Sequence, residues 1–221
     1  MDAIGAEARQ PGLRERKKQQ TRQLIAETAR RLFSERGFER VTVAEIARAA
    51  DVAEQTVFNY FPTKEDLVYW RLSSFEDDLL AAVRERAPGE SALEAFERFL
   101  LAQQGLLGKH DPEAREQLTS FTRMISESPA LLAREAQIFA GYTDTLAGLL
   151  AEATGARADD VRPRVAAHAM IGVHRALIDY SRRRIVAGEL SPRLTRDIRA
   201  QARHAFALLE GELGEYARTP T

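Results

Sequence analysis

Cysteine is absent from the 221 residues, and with it go disulfide frameworks, thiolate nucleophiles and zinc–sulfur sites. No apolar run reaches the roughly 18 residues that a membrane-spanning helix needs. Met1 to Gln20 has no apolar stretch of the kind a signal peptide carries. Alternating β-branched stretches are few, which argues against strands. Lysine is scarce: only Lys17, Lys18, Lys64 and Lys109 stand among 32 basic side chains. The arginine bias fits a GC-rich genome better than any chemistry. These absences lead to the expectation of a cytoplasmic protein with no membrane partner, no metal and no cofactor.

What is present suffices for a core. The chain is 44% hydrophobic and 29% charged, long enough for one large domain or a small one joined to a larger one. Its net charge of −1 conceals an asymmetry. Residues 1–24 hold Arg9, Arg14, Arg16, Lys17, Lys18 and Arg22 against Asp2, Glu7 and Glu15. A basic end on a mildly acidic body suggests contact with a polyanion at one end only; a short basic N-terminus that is merely solvated gives the same pattern.

Periodicity predicts helix nearly everywhere. The first run covers about Leu13 to Arg36, with Leu24, Ile25, Thr28, Ala29, Leu32 and Phe33 at helical spacing and Gly37 as its terminator. Thr42 and Glu45 fit a capping box that opens a short helix, Val43 to Ala50. Asp51 to Ala53 is a turn, and a second short helix spans about Glu54 to Tyr60 before Pro62. Thr63 and Asp66 then cap a helix predicted to reach Arg86. Ser91 and Glu94 make a further box, opening a run to Leu107. Asp111-Pro112 and Ser128-Pro129 start helices over about 112–126 and 129–153, with proline where its missing N–H costs little. Two more are predicted, from Ala158 to Ala187 and from Ser191-Pro192 to about Tyr216. The expected fold class is all-α with about nine helices, and residues 1–12 and 217–221 read as loose ends.

The stretch from Val41 to Lys64 carries the most information. Two short helices separated by a three-residue turn make a helix-turn-helix, whose second helix enters the DNA major groove. At about 100° per residue, Val57, Phe58 and Phe61 fall on one side of that helix. Gln55, Thr56, Asn59 and Tyr60 fall on the other. Gln and Asn can pair bidentately with adenine, and the Thr methyl suits a thymine methyl. Tyr60 and Lys64 lie further along, where they would meet phosphate oxygens, and the Thr42 cap leaves helix N-terminal N–H groups at a surface. An amphipathic helix whose polar face is merely wet has the same periodicity. Solvated faces are usually rich in Glu and Lys, which favours DNA. Glu54 argues the other way unless it accepts from a cytosine amino group.

The run from Thr42 to Leu67 (TVAEIARAADVAEQTVFNYFPTKEDL) strongly resembles the DNA-binding domain of TetR-family bacterial transcription regulators, of actinobacterial type. Ala29 to Phe38 (ARRLFSERGF) resembles the end of that family's first helix. The match covers about residues 16–70; the rest is similar only in helix number and length. The resemblance implies that Val57 and Phe61 pack inward. It also implies that Thr42, Gln55, Thr56, Asn59, Tyr60 and Lys64 meet operator DNA; from their position Glu54 stands beside them, and from the charge asymmetry Arg16, Lys17 and Lys18 are expected as a basic arm. Two positions depart from the pattern: Asp51 stands where the family usually has glycine, and Phe58 where it usually has tyrosine.

The domain plan that follows is a flexible arm over 1–12 and a helix-turn-helix domain over 13–62, its motif at 41–60. A regulatory and dimerisation domain covers 63–216, beginning with a connecting helix over 63–86, and a flexible tail covers 217–221. The resemblance implies a homodimer paired through the last two long helices; Val165, Ala169, Val173, Ala176, Phe206 and Leu209 offer apolar faces for that interface, or simply pack within one chain. A ligand-responsive repressor is expected, bound to a near-palindromic double-stranded operator and released by a small apolar or amphipathic effector. Phe96, Phe99, Gln103, Phe121, Met124, Phe139 and Tyr142 could line the effector's pocket, or simply a core. His168 and His174 are six apart, on different helix faces, and make a poor metal pair.

Two other function classes remain to be weighed. An all-helical enzyme would draw on the carboxylates Glu76-Asp77-Asp78 or Asp159-Asp160, but neighbouring helical carboxylates diverge by about 100° and no partner stands at i+4. No catalytic residue is therefore assigned. A helical adaptor that binds protein through its short helices is the other alternative.

Overall fold

The computed structural model describes residues 12–102 and 111–219, so the end of the predicted run from 103 to 107, with Gln103, and the N-terminal arm through Pro11 lie outside the described residues. Helices break where the sequence punctuates them. Among the described residues there are nine α-helices: α1 (Leu13–Arg36), α2 (Val43–Ala49), α3 (Glu54–Tyr60), α4 (Leu72–Arg84), α5 (Ala92–Ala102), α6 (Pro112–Glu127), α7 (Pro129–Thr154), α8 (Arg162–Val186) and α9 (Pro192–Leu213). Their contacts divide the chain into two units, Met1–Trp70 and Arg71–Thr221.

Caps explain most boundaries. The Thr42 hydroxyl accepts from the Glu45 N–H while the Glu45 carboxylate accepts from the Thr42 N–H at 2.8 Å. Ser91 and Glu94 repeat the device at α5. The Asp111 carboxylate and the Ser128 hydroxyl accept from Ala114 and Leu131 at the starts of α6 and α7. Gly37 ends α1 at φ +81°, a conformation that costs glycine nothing.

The predicted helix over 63–86 does not form as one element. Thr63 and Asp66 do cap each other, but they open only a 3-10 turn, Glu65–Leu67. Leu67 and Tyr69 are both buried; two residues apart, they would point about 200° from each other on an α-helix. Burying both in the first unit overrides helix propensity, and α4 begins afresh at Leu72. The start of α8 also moves, from 158 to 162. A turn bonds Asp160 N–H to the Arg157 carbonyl, and the Asp160 carboxylate then takes the Arg162 N–H at 2.9 Å.

In the second unit, α8 packs against α7, α9, α6 and α5. Phe96 and Phe206 are fully buried and meet at 6.0 Å between ring centroids. Arg182 of α8 binds Glu135 of α7 at 2.7 Å, both largely shielded from solvent. The expected loose end is tied down through residue 219. Thr219 exchanges two backbone hydrogen bonds with Gly89 and Glu90, Arg86 donates to the Ala217 carbonyl, and Arg218 donates to the Gly89 carbonyl. The turn between α4 and α5 has unpaired carbonyls to satisfy, and the chain end satisfies them.

Truncating Phe206 to Ala should cost about 3–5 kcal/mol, read by urea denaturation as a lower midpoint at unchanged slope.

Candidate nucleic-acid interface

In the first unit α1, α2 and α3 enclose a small core. Ile25, Ala29 and Phe33 of α1, Ile46 and Ala47 of α2, and Val57 of α3 are buried, with Phe61 just beyond. Leu24, grouped with the apolar face by periodicity, is 50% exposed, at the edge of that stripe. Asp51 takes φ +54° in the turn between α2 and α3, the left-handed region that aspartate tolerates better than most residues. The departure from glycine is therefore accommodated.

Anchored by Val57 and Phe61, α3 presents Glu54, Gln55 and Asn59 to solvent, with Thr56 and Tyr60 half-buried. The Gln55 amide donates to the Asn59 side-chain oxygen at 3.3 Å. Phe58 is 40% exposed and does not share the inward face assigned to it. Val57 and Phe61, four apart, already fill the space against α1 and α2, so the third ring is turned outward. Lys64 is half-buried, its ammonium 4.1 Å from the centre of the Phe38 ring, an attraction that fixes the charge near the end of α3. The Thr42 hydroxyl is exposed but occupied: it donates to Glu45 at 2.9 Å while capping α2. Arg36 also reaches Glu45, at 2.7 Å.

An open groove of about 440 Å³ runs between α1 and α3, lined by Arg14, Lys17, Lys18, Thr21, Thr56, Asn59 and Tyr60. Lys17 and Lys18 thus stand beside the outward face of α3, whereas Arg16 is exposed on another side of α1 and does not line the groove. Arg14, counted in the basic N-terminal end but not assigned to the DNA arm, and Thr21, which the sequence reading did not single out, are also groove residues. Their spacing with Lys17 and Lys18, at i, i+3, i+4 and i+7, is the periodic signal that could have found them. Three cations beside hydroxyl and carboxamide groups combine the two chemistries of DNA recognition, phosphate contact and base contact.

The model of the bacterial regulatory proteins of the tetR family matches residues 25–69, and that of the MftR C-terminal domain matches residues 92–205. The chain belongs to the TetR family. It is similar to the transcriptional regulator TcmR of Streptomyces glaucescens, at 32% identity over 161 residues and 70% of each chain. MftR of Mycobacterium tuberculosis is 27% identical over 165 residues, covering 72% of this chain and 78% of MftR. The fold agrees with that of Salmonella enterica GusR, with a TM-score of 0.51 at 20% identity over 88% of this chain and 96% of GusR. No helix among the described residues is long and apolar enough to cross a membrane.

In the second unit of this TetR-family regulator, ring contacts join part of the expected pocket set. Phe139 meets Tyr142 at 5.6 Å and His174 at 5.5 Å; His174 meets Phe75 at 5.0 Å, and Phe75 meets Phe99 at 5.3 Å. The Tyr142 hydroxyl donates to the Leu72 carbonyl. Phe96 lies in the core against Phe206, and Phe121 and Met124 are half-buried on α6. Phe75 and His174 were not in the predicted set.

Two of the residues assigned to a dimer interface face the wrong way for it. Phe206 is fully buried and Val173 is 9% exposed, both inside their own chain. Leu209 is half-buried in the same packing. Val165 at 60% exposure, Ala169, Gly172 and Ala176 form the outward stripe of α8, and Leu208 at 85% is the outward leucine of α9. Large apolar side chains fill the intrachain core, and the residues one position away are left outside. Of the carboxylates, Asp159 and Asp160 pair with Arg157 and Arg162.

Two groups give acid sensitivity of opposite origin. Hydrogen bonds from the Thr42 N–H, the Arg36 guanidinium and the Thr42 hydroxyl hold the Glu45 carboxyl down at about 2. Burial lowers His174 from 6.5 to about 4. Both are depressed in the folded state, so each contributes stability above its unfolded value and loses it as pH falls. The His174 contribution fades between about 6.5 and 4, and that of Glu45 between about 4.5 and 2. Thermal melts from pH 7 to pH 4 should therefore fall less steeply for His174→Phe than for wild type. Glu45→Gln should flatten only the part below pH 4.5.

Proposed function

We propose that this regulator is a homodimeric, ligand-responsive repressor whose α1–α3 groove clasps a near-palindromic operator. The observation that carries the reading is the juxtaposition of Arg14, Lys17 and Lys18 with Thr56, Asn59 and Tyr60 in one groove. The cations neutralise phosphates and release counterions, while Gln55, Thr56 and Asn59 meet base edges and Lys64 a phosphate. Arg16 adds charge outside the groove. Thr42 acts by holding α2 in place through its cap, and Phe58 brings an apolar surface to the same helix.

Dimerisation through α8 and α9 is supported by the exposed apolar stripe: Val165, Gly172 and Leu208. A Cβ built on Gly172 or on Gly211 would meet nothing within 4 Å, so a second copy can approach closely. A two-fold axis brings the two reading helices onto half-sites about one duplex turn, roughly 34–36 Å, or somewhat more apart. An effector in the second unit would shift the population toward dimers whose reading helices no longer match that spacing. The relatives are transcriptional regulators, which supports a binding protein acting in the cytoplasm on the nucleoid, and not an enzyme.

Selection of binding sites from a random duplex pool, followed by gel shifts against excess non-specific DNA, tests the reading. A protein-binding adaptor would select nothing. Gln55→Ala should relax base preference, with about 1–3 kcal/mol at stake at the affected position. Lys17→Ala with Lys18→Ala should weaken all sequences alike and lower the salt slope by roughly one unit for each phosphate left without its cation. Leu208→Glu should turn a dimer into a monomer in sedimentation and remove high-affinity binding to two-half-site DNA, while single half-site binding survives.

A further inference from the structure

Among the described residues of the second unit, three buried side-chain atoms have no hydrogen-bond partner, Arg86 Nε, His174 Nδ1 and the Tyr216 hydroxyl; His174 of α8 is the one whose ring meets Phe75 and Phe139. Its Nδ1 is sealed from solvent and has no hydrogen-bond partner. A buried polar atom left unpaired is costly, and native structures keep few of them without a use. The surroundings are rings: Phe75 at 5.0 Å, tilted by 32°, and Phe139 at 5.5 Å, nearly perpendicular at 88°. Phe99 extends the group through Phe75. Tyr142, the other polar ring nearby, has already given its hydroxyl proton to the Leu72 carbonyl.

We infer that His174 is the polar anchor of an effector site walled by Phe75, Phe99 and Phe139, and that the ligand is an uncharged aromatic molecule whose hydroxyl donates to Nδ1. This rests on the ligand-responsive reading above and names the chemistry of that site. The setting is hostile to charge: burial keeps the imidazole neutral and raises the Glu76 carboxyl, next to Phe75 in α4. A neutral imidazole has one N–H and one lone pair. An orphaned N–H is the rarer defect in a folded interior, so the lone pair belongs on Nδ1 and the ligand must donate. Aromatic rings prefer offset or edge-to-face neighbours at about 4.5–7 Å, the spacing this wall already shows among its own members.

Three naphthalene probes that differ at one substituent test the site: 2-naphthol, 2-methoxynaphthalene and 2-methylnaphthalene. Their affinities for the full-length protein at pH 7.5 are read from probe fluorescence. One hydrogen bond of about 1.4 kcal/mol corresponds to tenfold, so 2-naphthol should bind about tenfold tighter than either analogue. His174→Phe should bring the ratio close to one, and His174→Asn, whose side-chain oxygen sits near the place of Nδ1, should restore part of it. In wild type labelled with 15N-histidine, 2-naphthol should shift the His174 Nδ1 resonance, which needs no variant to fold. The inference fails if no probe binds, if 2-methoxynaphthalene equals 2-naphthol, or if the ratio persists in His174→Phe. Operator binding without any probe is measured separately, so failure of the repressor reading would register there and not here.

Discussion

The burial of Val57 and Phe61 is the constraint on which recognition depends. A seven-residue helix is too short to hold itself together in water; α3 exists because those two side chains, one turn apart, are sunk against α1 and α2. Once they are fixed, the azimuth of every other residue on the helix is fixed too. Gln55 and Asn59 must face outward, and Thr56 and Tyr60 must turn toward the amino-terminal half of α1. The turn preceding the helix serves the same end. Asp51 accepts a left-handed backbone, and the Thr42–Glu45 cap stops α2 from fraying on the side away from it, so the angle between α2 and α3 is held from both directions.

Much of this was legible in the sequence because the signals are local. A cap, a proline or a glycine acts on its own turn, and α1, α2, α3, α6 and α7 begin and end within a residue or so of where such signals put them. The outward placement of Gln55 and Asn59 on α3 follows from period, whereas Phe58, put inward by the same period, is exposed. Legibility failed where distant packing decides. Residues 63–71 carry a cap and reasonable helix formers, yet Leu67 and Tyr69 are claimed by the first unit and the helix is postponed. Two of the six residues expected at the dimer face, Phe206 and Val173, were misplaced for a related reason. Along α8 and α9, apolar residues occur on more than one side, and amphipathicity does not say which side belongs to the chain's own core. Volume decides: Phe206 and Val173 fill space inside, while Gly172, Ala176 and Leu208 remain outside.

The electrostatics complete the division of labour on the first unit. In the first unit Glu45 is bound by Arg36 and by the cap, so its charge is matched locally. Glu54 stands exposed on the helix itself and can tolerate a nearby polyanion only by accepting from a base amino group. Arg14, Lys17 and Lys18 share one face of α1 and so act on the same stretch of backbone. Their attraction is indifferent to sequence, and it falls with salt. On the proposed reading, discrimination would come from the carboxamides.

The pairing of those carboxamides matters for how they discriminate. The Gln55 amide donates to the Asn59 oxygen at 3.3 Å, at the long end of the useful range, so the bond is weak enough to be traded. While it holds, it leaves the Gln55 oxygen free to accept and the Asn59 amino group free to donate, side by side on the helix. An adenine edge offers the complement, an amino donor beside a ring-nitrogen acceptor. Two side chains orienting each other lose less rotational freedom on binding than two that are independent, because part of the ordering cost is met in the free protein. On a solvated face such an i, i+4 pair adds only a few tenths of a kcal/mol to the helix; a surface that presents donor and acceptor together would give it a second use.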